Sequence, residues 1–491
     1  MNIVKKLVSE GDRYWLTRLV LQRGLAFVYL IAFIAVVHQF KPLLGEHGLL
    51  PVPRFVKAVS FLESPSIFFW FPRDFAFDLL GWTGLTLSLL ALSGFSEKFG
   101  NWVSACTWSV LWIIYLSFVN VGQTFYGFGW ETLLLEAGFL AIFLGCRKTT
   151  PPFLVILLYQ WLLFRLMFGA GLIKLRGDPC WRDLTCLKYH YETQPMPNPL
   201  SWYFHWLPGW IHNFGVLFNH FAELVLPFAY FAPLPISALA GLITVFFHGW
   251  LFASGNFAFL GLLTMVLALS TIGDSWWKHV LPIQPPTLTP PGRLRSATIL
   301  ALGMTVIALS FYPVMNLLSS RQEMNASFEP LHLVNTYGAF GSITRPRYEV
   351  IVEGTDEAVL TASTHWREYE FIGKPGDVNH TPPQIAPYHL RLDWLMWFAA
   401  FSSPSEHPWF ISLLGKLLEN DRSVLRLLRD NPFPVMPPKF VRALLYEYHF
   451  TTPGERRKTG AVWKRNLVGL YFPGVSLDDE EFRRALEAIS E

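Results

Sequence analysis

Residues 165–199 read RLMFGAGLIKLRGDPCWRDLTCLKYHYETQPMPNP. They follow residues 153–164, an apolar run without a charged side chain, and they turn abruptly into paired charges, two cysteines, aromatic residues and prolines. A long apolar run is typical of a membrane helix, and charged residues at the end of such a helix are typical of a site. This transition therefore predicts a membrane protein with a structural or functional centre at the end of one span.

The composition of the whole chain also indicates an integral membrane protein. Of its 491 residues, 52% are hydrophobic and only 15% are charged, against about 25% in soluble domains. The formal net charge of +3 leaves no basic footprint, so we expect no nucleic-acid partner. The sequence contains no P-loop, Rossmann fingerprint, GxSxG or HExxH motif, and we therefore predict no cofactor and no metal site.

About nine segments are long and apolar enough to cross a bilayer core, which needs about 20 residues. The windows are 24–40, 75–95, 102–121, 131–146, 152–173, 216–233, 236–253, 256–272 and 296–318. We predict a multi-pass α-helical membrane bundle over residues 1–318, followed by an α+β soluble domain over residues 319–491.

Lysine and arginine placement predicts the orientation of the bundle. The basic residues that would share one side are Lys5, Lys6, Arg13, Arg18, Arg23, Lys98, Arg147, Lys148, Lys278, Arg293 and Arg295. Such clusters favour the cytoplasmic side, so an odd number of spans puts residues 319–491 outside the cytoplasm. The loop 174–215 is also rich in lysine and arginine, yet it falls on the opposite side.

Patterns in the C-terminal region predict both strands and helices. The predicted strands are Tyr348–Glu353, Thr364–Phe371, Tyr446–Phe450 and Leu467–Phe472, and the predicted helices are Leu390–Phe401, Pro408–Leu428 and Asp478–Ser490. The strands alternate apolar and polar residues, whereas the helices have apolar residues at helical spacing.

Cys180 and Cys186 lie in a loop that we place outside the cytoplasm, where disulfides form. A bridge between them would close a small loop around Trp181 and the neighbouring Arg182 and Asp183. Two free thiols are the alternative.

A further feature of the loop is the proline-rich run Glu192–Pro199, which excludes regular helix and predicts an extended strap. Asn325-Ala-Ser327 and Asn379-His-Thr381 match the N-glycosylation pattern, and we take Asn325 as the candidate site.

Several ionisable residues fall at membrane depth: Asp78, Glu131, Glu136, Arg165, Lys174, His220, Glu223 and His248. One interpretation is a structural polar network that fixes helix packing. The other is an internal active site with Lys174 as the base, assisted by His220 or Glu223, which are three residues apart and share a helix face. A structural Lys174 should pair with an acid such as Asp178 or extend its ammonium to water at the interface. A catalytic Lys174 should lie in an enclosed cavity near His220 or Glu223, without a tight carboxylate partner.

The segment 169–199 resembles the signature of the lipase maturation factor family. Further matches are NTYGAFGSIT at 335–344, WREYEF at 366–371 and APYHLRLDWLMWFAAF at 386–401. The resemblance implies a multi-pass membrane protein, not an enzyme, that acts as a chaperone in the maturation of secreted lipases. Its partners would be the lipid bilayer and immature lipases. The residues for client binding or loop structure would be Arg176, Asp178, Trp181, Arg182, Asp183, His190, Tyr191 and Glu192.

The resemblance also implies the endoplasmic reticulum membrane, with a bacterial inner membrane as the alternative. A shorter stretch, FGAGLIKL at 168–175 followed by Trp181, is similar to the vitamin K-dependent gamma-carboxylase. That similarity implies related membrane folds, and it keeps open an intramembrane enzyme with Lys174 as base. A transporter would need two spans interrupted at matching places, and the sequence contains no such pair.

Overall fold

The computed structural model describes residues 11–490 together with Leu7; Lys5 and Lys6 lie outside the described residues. Within them, seven helices are long and apolar enough to cross a membrane. They are Asp12–Leu44, Asp74–Ser93, Asn101–Asn120, Phe153–Arg176, Gly209–Phe231, Ile236–Ser254 and Arg293–Leu318. The predicted count of about nine is thus not confirmed by helix length.

Two predicted windows contain shorter helices instead. Gly129–Ala141 occupies the window 131–146, and Leu260–Ala268, extended by a 3-10 turn to Thr271, occupies the window 256–272. A 13-residue helix is about 20 Å long, which is less than the roughly 30 Å of a bilayer core. Gly145, after the first of these helices, adopts a left-handed conformation (φ 82°), and so does Ala258, before the second (φ 48°).

Short helices and turns complete the bundle. They are Asp12–Tyr14, Val52–Ala58, Ile67–Phe69, Ser96–Phe99, Gln123–Tyr126, Pro179–Arg182, Leu187–Thr193, Ser201–His205 and Asp274–Trp277. The span Gly209–Phe231 consists of an α-helix to His220, a π turn at Phe221–Val225 and a 3-10 turn at Leu226–Phe231. The last span consists of Arg293–Leu309 and Phe311–Leu318.

The basic segments that were predicted to share one side do meet at one end of the bundle. Arg18 Nη1 donates to the Thr149 carbonyl at 2.7 Å, and the Arg147 guanidinium lies 3.9 Å from the Glu97 carboxylate. At the same end, the Trp15 backbone N–H donates to Asp274 at 3.0 Å. We call this the N-terminal end of the bundle.

The C-terminal region combines strands and helices, as predicted. The strands are β1 (Arg347–Thr355), β2 (Arg367–Glu368), β3 (Glu370–Phe371), β4 (Leu428–Asp430), β5 (Phe440–Phe450) and β6 (Trp463–Val475). The helices are Arg391–Ala399, Pro408–Leu418, Arg422–Leu425, Pro453–Thr459 and Glu480–Ser490, with a 3-10 turn at Pro404–Glu406. Four strands form an antiparallel sheet in the order β2-β1-β5-β6, and β3 pairs with β4.

Strands β5 and β6 are longer than the strands predicted at 446–450 and 467–472, whereas two other predicted elements are much shorter in the structure. The strand expected over 364–371 is reduced to the two short strands β2 and β3, and the helix expected over 408–428 ends at Leu418. The helix stops there because Asn420 adopts a left-handed conformation (φ 53°) and the Asp421 side chain caps the next short helix.

The C-terminal region packs against the other end of the bundle. Gln39 Nε2 donates to the His389 carbonyl at 2.6 Å, and Asn256 Oδ1 accepts from the backbone N–H groups of Ile385 and Ala386 at 2.8 Å each. One hydrophobic core runs continuously from the membrane helices into this region. The C-terminal region is therefore joined to the bundle by buried polar contacts as well as by apolar packing.

Candidate functional site

Lys174, near the end of the span Phe153–Arg176, forms a buried ion pair. Its Nζ donates to Glu223 Oε1 at 2.6 Å and to Asn219 Oδ1 at 2.9 Å, while Asn219 Nδ2 donates to Glu223 Oε2 at 2.8 Å. The Lys174 and Glu223 side chains are each 5% exposed, and Nζ lies 4.9 Å from the Trp181 ring centroid. Glu223 reaches the lysine from the π turn, a local widening of a helix that is often found at functional sites.

Lys174 pairs with an acid, as expected of a structural lysine, but that acid is Glu223 and not Asp178. Asp178 instead accepts from both Arg345 amino groups at 2.8 and 2.9 Å, and it caps the Cys180 backbone N–H at 2.9 Å. The hydrogen bonds from Arg345 are the main reason that the pKa of Asp178 is lowered to about 2. The two acids have separate roles because Glu223 reaches Lys174 within the bundle, whereas Asp178 joins the loop to the chain around Arg345.

The predicted disulfide between Cys180 and Cys186 is present, with their Cα atoms 4.8 Å apart. It closes the loop that carries Trp181, whose Nε1 donates to the Phe340 carbonyl at 2.8 Å. His220 hydrogen-bonds the Trp181 carbonyl at 3.0 Å. The structure therefore places His220 behind the tryptophan that covers Lys174, and only Glu223 of the two proposed assisting residues contacts the lysine.

The rest of the loop is held between the bundle and the C-terminal region. Glu192 accepts from the Phe450 backbone N–H at 2.8 Å, and Arg347 donates to the carbonyls of Glu192 and Gln194 at 2.8 and 2.5 Å. The predicted strap Glu192–Pro199 is wrong at its start, because Glu192 and Thr193 are the last residues of the helix Leu187–Thr193. From residue 194 to residue 200 the chain has no regular structure, as the prolines predict. Of the eight proposed loop residues, Trp181, His190, Tyr191 and Glu192 are buried, Arg176 and Asp178 are half-buried, and Arg182 and Asp183 are exposed.

A second buried ion pair connects the bundle to the motif at 335–344. The Arg165 guanidinium contacts the Glu136 carboxylate and donates to the Asn335 carbonyl at 2.6 Å. Tyr337 donates its hydroxyl to Glu136 at 2.8 Å, and the Asn335 backbone N–H donates to the same carboxylate at 3.1 Å. These contacts join Arg165 and Glu136 of the bundle to the chain around Asn335 and Tyr337.

Glu131 is bound in a similar way by the motif at 386–401. Arg391 Nη1 lies 2.7 Å from the Glu131 carboxylate, and the Tyr115 hydroxyl donates to the same group. Sequence reasoning had not named Arg391, Asn335 or Tyr337 as site residues. One signal in the sequence could have identified these residues. The bundle contains two acids, Glu131 and Glu136, that need polar partners, and the motifs at 335–344 and 386–401 contain polar side chains.

One cavity is lined by the Lys174 ion pair, and a second, larger cavity adjoins the first. The inner cavity, of about 90 Å³, is lined at its polar end by Lys174, Trp181, His190, Asn219, Glu223 and His248. The aromatic cavity, of about 740 Å³, lies between the bundle and the C-terminal region, and its lining includes Trp130, Tyr337, Trp394, Trp397, Phe398 and Trp409.

Among the described residues, one group has ligand atoms close enough to share a metal ion, namely Asp178, Cys180 and Cys186. Both cysteines are in the disulfide and Asp178 is bound by Arg345, so these residues do not form a set of free metal ligands.

Strand β6 forms one edge of the four-stranded sheet and carries exposed apolar residues. Leu467, Val468 and Leu470 are 60%, 52% and 63% exposed. An edge strand presents unpaired backbone groups to which another extended chain can add. The flanks of this edge carry Lys464 and Pro473, which are typical blocking residues, but the stretch between them is apolar.

Comparisons with known proteins find similar sequences over almost the entire chain. Residues 16–279 match the family described as the lipase maturation factor transmembrane domain, and residues 333–473 match the lipase maturation factor C-terminal domain. The chain is 44% identical to lipase maturation factor 1 of Bos taurus over 516 residues, covering 96% of this chain and 91% of the relative. It is also 44% identical to lipase maturation factor 1 of Homo sapiens, covering 95% and 89%.

A more distant relative is lipase maturation factor 2 of Xenopus laevis, at 30% identity, with 93% of this chain and 82% of the relative covered. No solved structure matches the chain.

Proposed function

The chain belongs to the lipase maturation factor family, and on that premise we propose that it is a membrane-embedded chaperone that binds immature secreted lipases and promotes their folding or assembly. The observation that carries this proposal is the 44% identity to lipase maturation factor 1 over 96% of the chain. Identity of this extent covers both the bundle and the C-terminal region, so the proposal concerns the whole protein.

The geometry around Lys174 supports a role without catalysis. A catalytic lysine must lose its proton readily, which burial without a counter-ion favours. Lys174 instead has a carboxylate 2.6 Å away and a second acceptor at Asn219. We infer that this group stabilises the site and that the intramembrane enzyme is the weaker interpretation.

We further propose that the chain crosses the membrane nine times, with the two short helices completing the count. Gln123 donates to the Leu50 carbonyl at the C-terminal-region end of the bundle, whereas the Cys146 N–H donates to Asn101 at the N-terminal end. The helix Gly129–Ala141 connects these two positions. Likewise, Asn256 contacts Ile385 and Asp274 contacts Trp15, and the helix Leu260–Ala268 lies between them.

Nine crossings support the assignment of residues 1–318 to the membrane and of residues 319–491 to a lumenal domain. The basic residues at the N-terminal end of the bundle favour the cytoplasm for that end. The disulfide at Cys180 fits an oxidising compartment, and we propose the endoplasmic reticulum membrane. Asn325 is exposed, belongs to the domain that we place in the lumen, and is the proposed glycosylation site. Glycosidase treatment should lower the apparent mass of the wild type, and Asn325→Gln should remove that shift.

For client binding we propose the exposed edge of β6. An immature client exposes apolar segments and unpaired backbone, and the edge around Leu467, Val468 and Leu470 offers both kinds of contact. The loop residues Arg182 and Asp183 are exposed and could contribute polar contacts, whereas Trp181, His190, Tyr191 and Glu192 are buried and serve to hold the loop.

Co-expression with a secreted dimeric lipase, in cells that lack their own maturation factor, tests this proposal. The wild-type chain should increase secreted lipase activity and should co-purify with the immature lipase. The variant Val468→Lys plus Leu470→Lys should reduce both readouts by about tenfold or more, because charges replace the apolar edge contact.

Asn466→Lys is the matched control, since it adds a positive charge at an exposed position on the same strand. It should leave lipase maturation close to the wild-type level. If the wild-type chain neither binds a lipase nor raises its secreted activity, the maturation proposal is wrong. If the double variant behaves like Asn466→Lys, the proposal fails only for the β6 edge.

A further inference from the structure

The inner cavity contains buried polar groups that lack protein partners. His190 is 6% exposed, and among the described residues its ring nitrogens make no hydrogen bond; its ring instead packs against Phe257 and Phe340. His248 uses Nδ1 to bond the Thr244 carbonyl at 3.1 Å, and its Nε2 has no partner in the described part of the chain. Both histidines line the cavity. Buried polar groups are normally paired, so unpartnered ones that face a cavity indicate a ligand or water.

The charges around the cavity cancel. Lys174 and Glu223 neutralise each other at 2.6 Å. Burial, reinforced by the Lys174 charge, lowers the pKa of His190 to about 3, so its imidazole is neutral at physiological pH. A carboxylate or phosphate entering this space would lose its hydration without meeting an unpaired cation, which is costly. A hydroxyl or carbonyl oxygen would be accommodated by neutral imidazoles, each of which has one donor and one acceptor nitrogen.

The inner cavity adjoins the aromatic cavity across a common wall. Six residues line both: Leu166, Ala170, Phe257, Leu260, Ala339 and Phe340. About 10–15 Å³ of such space holds one water molecule, so the 90 Å³ of the inner cavity holds a small polar group. The 740 Å³ of the aromatic cavity lies within the roughly 300–1,000 Å³ of typical ligand pockets.

The location of the two cavities indicates the source of the ligand. Leu166 and Ala170 belong to the span Phe153–Arg176, so the shared wall is formed in part by a membrane helix. Both cavities are lined mostly by apolar side chains; the aromatic cavity also includes Glu406 and His407, and the smaller inner cavity contains the polar cluster of Lys174, His190, Asn219, Glu223 and His248. A small polar cluster beside a larger, mostly apolar space matches a molecule with one long apolar part and one small polar end, which is the chemistry of a bilayer lipid.

We propose that the two adjoining cavities together bind a neutral single-chain lipid, with its hydroxyl or carbonyl head at His190 and His248 and its acyl chain passing the shared wall into the aromatic cavity. This site goes beyond the proposed function, because it requires neither a lipase client nor a chemical reaction. It also gives the Lys174–Glu223 pair a role: the pair forms a polar but neutral wall against which an uncharged head can lie.

Photolabelling of the purified full-length protein tests the proposal. The probe is a monoacylglycerol with a diazirine in its acyl chain, and the competitors are 1-mono-oleoylglycerol and oleate, which share one chain and differ in head charge. Labelling should be saturable and should fall on peptides of the aromatic cavity, such as residues 391–399. Mono-oleoylglycerol should compete at least about tenfold better than oleate, because the carboxylate must be desolvated without a counter-ion.

His190→Phe preserves the ring packing and removes the polar nitrogens. It should weaken competition by mono-oleoylglycerol by about five- to tenfold, the size of one lost hydrogen bond, while His279→Phe, at an exposed position, serves as the control and should have no effect. Ala170→Leu, which narrows the shared wall, should reduce labelling and decides the question if His190→Phe does not fold. Equal or better competition by oleate overturns the proposal, as does labelling that does not saturate or that is unchanged in folded His190→Phe and Ala170→Leu.

Discussion

Two ion pairs on the same membrane helix differ in what surrounds them. Arg165 and Glu136 are enclosed by protein, with Asn335 and Tyr337 of the C-terminal region completing their hydrogen bonds. Lys174 and Glu223, nine residues further along the helix, border a cavity that also contains unpartnered histidine nitrogens. A buried charge pair is costly in both places. The difference indicates that the first pair attaches the C-terminal region to the bundle, whereas the second forms the wall of a site.

The largest effect should come from removing the cation of the enclosed pair. Arg165→Met leaves Glu136 buried without its counter-ion, and the loss of one partner of a buried pair costs about 3–5 kcal/mol. We expect a markedly lower unfolding temperature in detergent and little folded protein. Arg293→Met removes an exposed arginine of the last span and should change stability by less than about 0.5 kcal/mol.

A double variant checks the cause of that loss. Glu136→Gln combined with Arg165→Met removes both charges, so it should be less unstable than Arg165→Met alone. If Arg165→Met unfolds at the wild-type temperature, the enclosed pair does not attach the C-terminal region.

The disulfide closes the loop that covers the Lys174–Glu223 pair, and its removal should lower the melting temperature by an intermediate amount. Cys180→Ser with Cys186→Ser frees the loop that holds Trp181 over Lys174. A bridge across so short a loop contributes about 2 kcal/mol in the chain-entropy account, so the melting temperature should fall less than in Arg165→Met. Cys106→Ser, at an exposed free cysteine, is the control. A loss as large as that of Arg165→Met would mean that the cavity loop and the enclosed pair are equally important for the fold.

The smallest effect is expected at Asp178, which ties the rim of the cavity loop to Arg345. Arg345 is 43% exposed, so solvent screens the pair, and Asp178→Asn should cost less than about 1 kcal/mol at neutral pH. Because the pKa of Asp178 is lowered to about 2, its stabilising contribution is present above the ordinary value of 3.8 and is lost as pH falls towards 2. The stability difference between wild type and variant should therefore be seen at pH 7 and shrink at pH 3. A difference that grows on acidification would contradict the assignment.

Much of the fold followed from the sequence, because apolar length and alternation are local properties. The long spans, β1, the helix Arg391–Ala399 and the disulfide were predicted from short windows. The two short helices could not be recognised as short, since hydropathy does not reveal where Gly145 and Ala258 turn the chain. Glu223 was named beside Lys174, although as an assisting residue and not as its ion-pair partner. Arg391, the partner of Glu131, was missed because the two residues are 260 positions apart in the sequence. Only the tertiary structure brings such residues together.

The central claim is that the Lys174–Glu223 pair supports a site and does not transfer a proton, and two variants of one residue test it most directly. Lys174→Arg keeps the charge and the donors to Glu223 but does not release a proton readily. Lys174→Met leaves Glu223 unpaired and should destabilise the protein by about 3–5 kcal/mol. In the lipase co-expression assay, we predict that Lys174→Arg retains most of the maturation activity, while Lys174→Met loses it together with folded protein. A Lys174→Arg variant that is folded and binds the immature lipase normally, yet matures almost none of it, would contradict the account and identify Lys174 as a base.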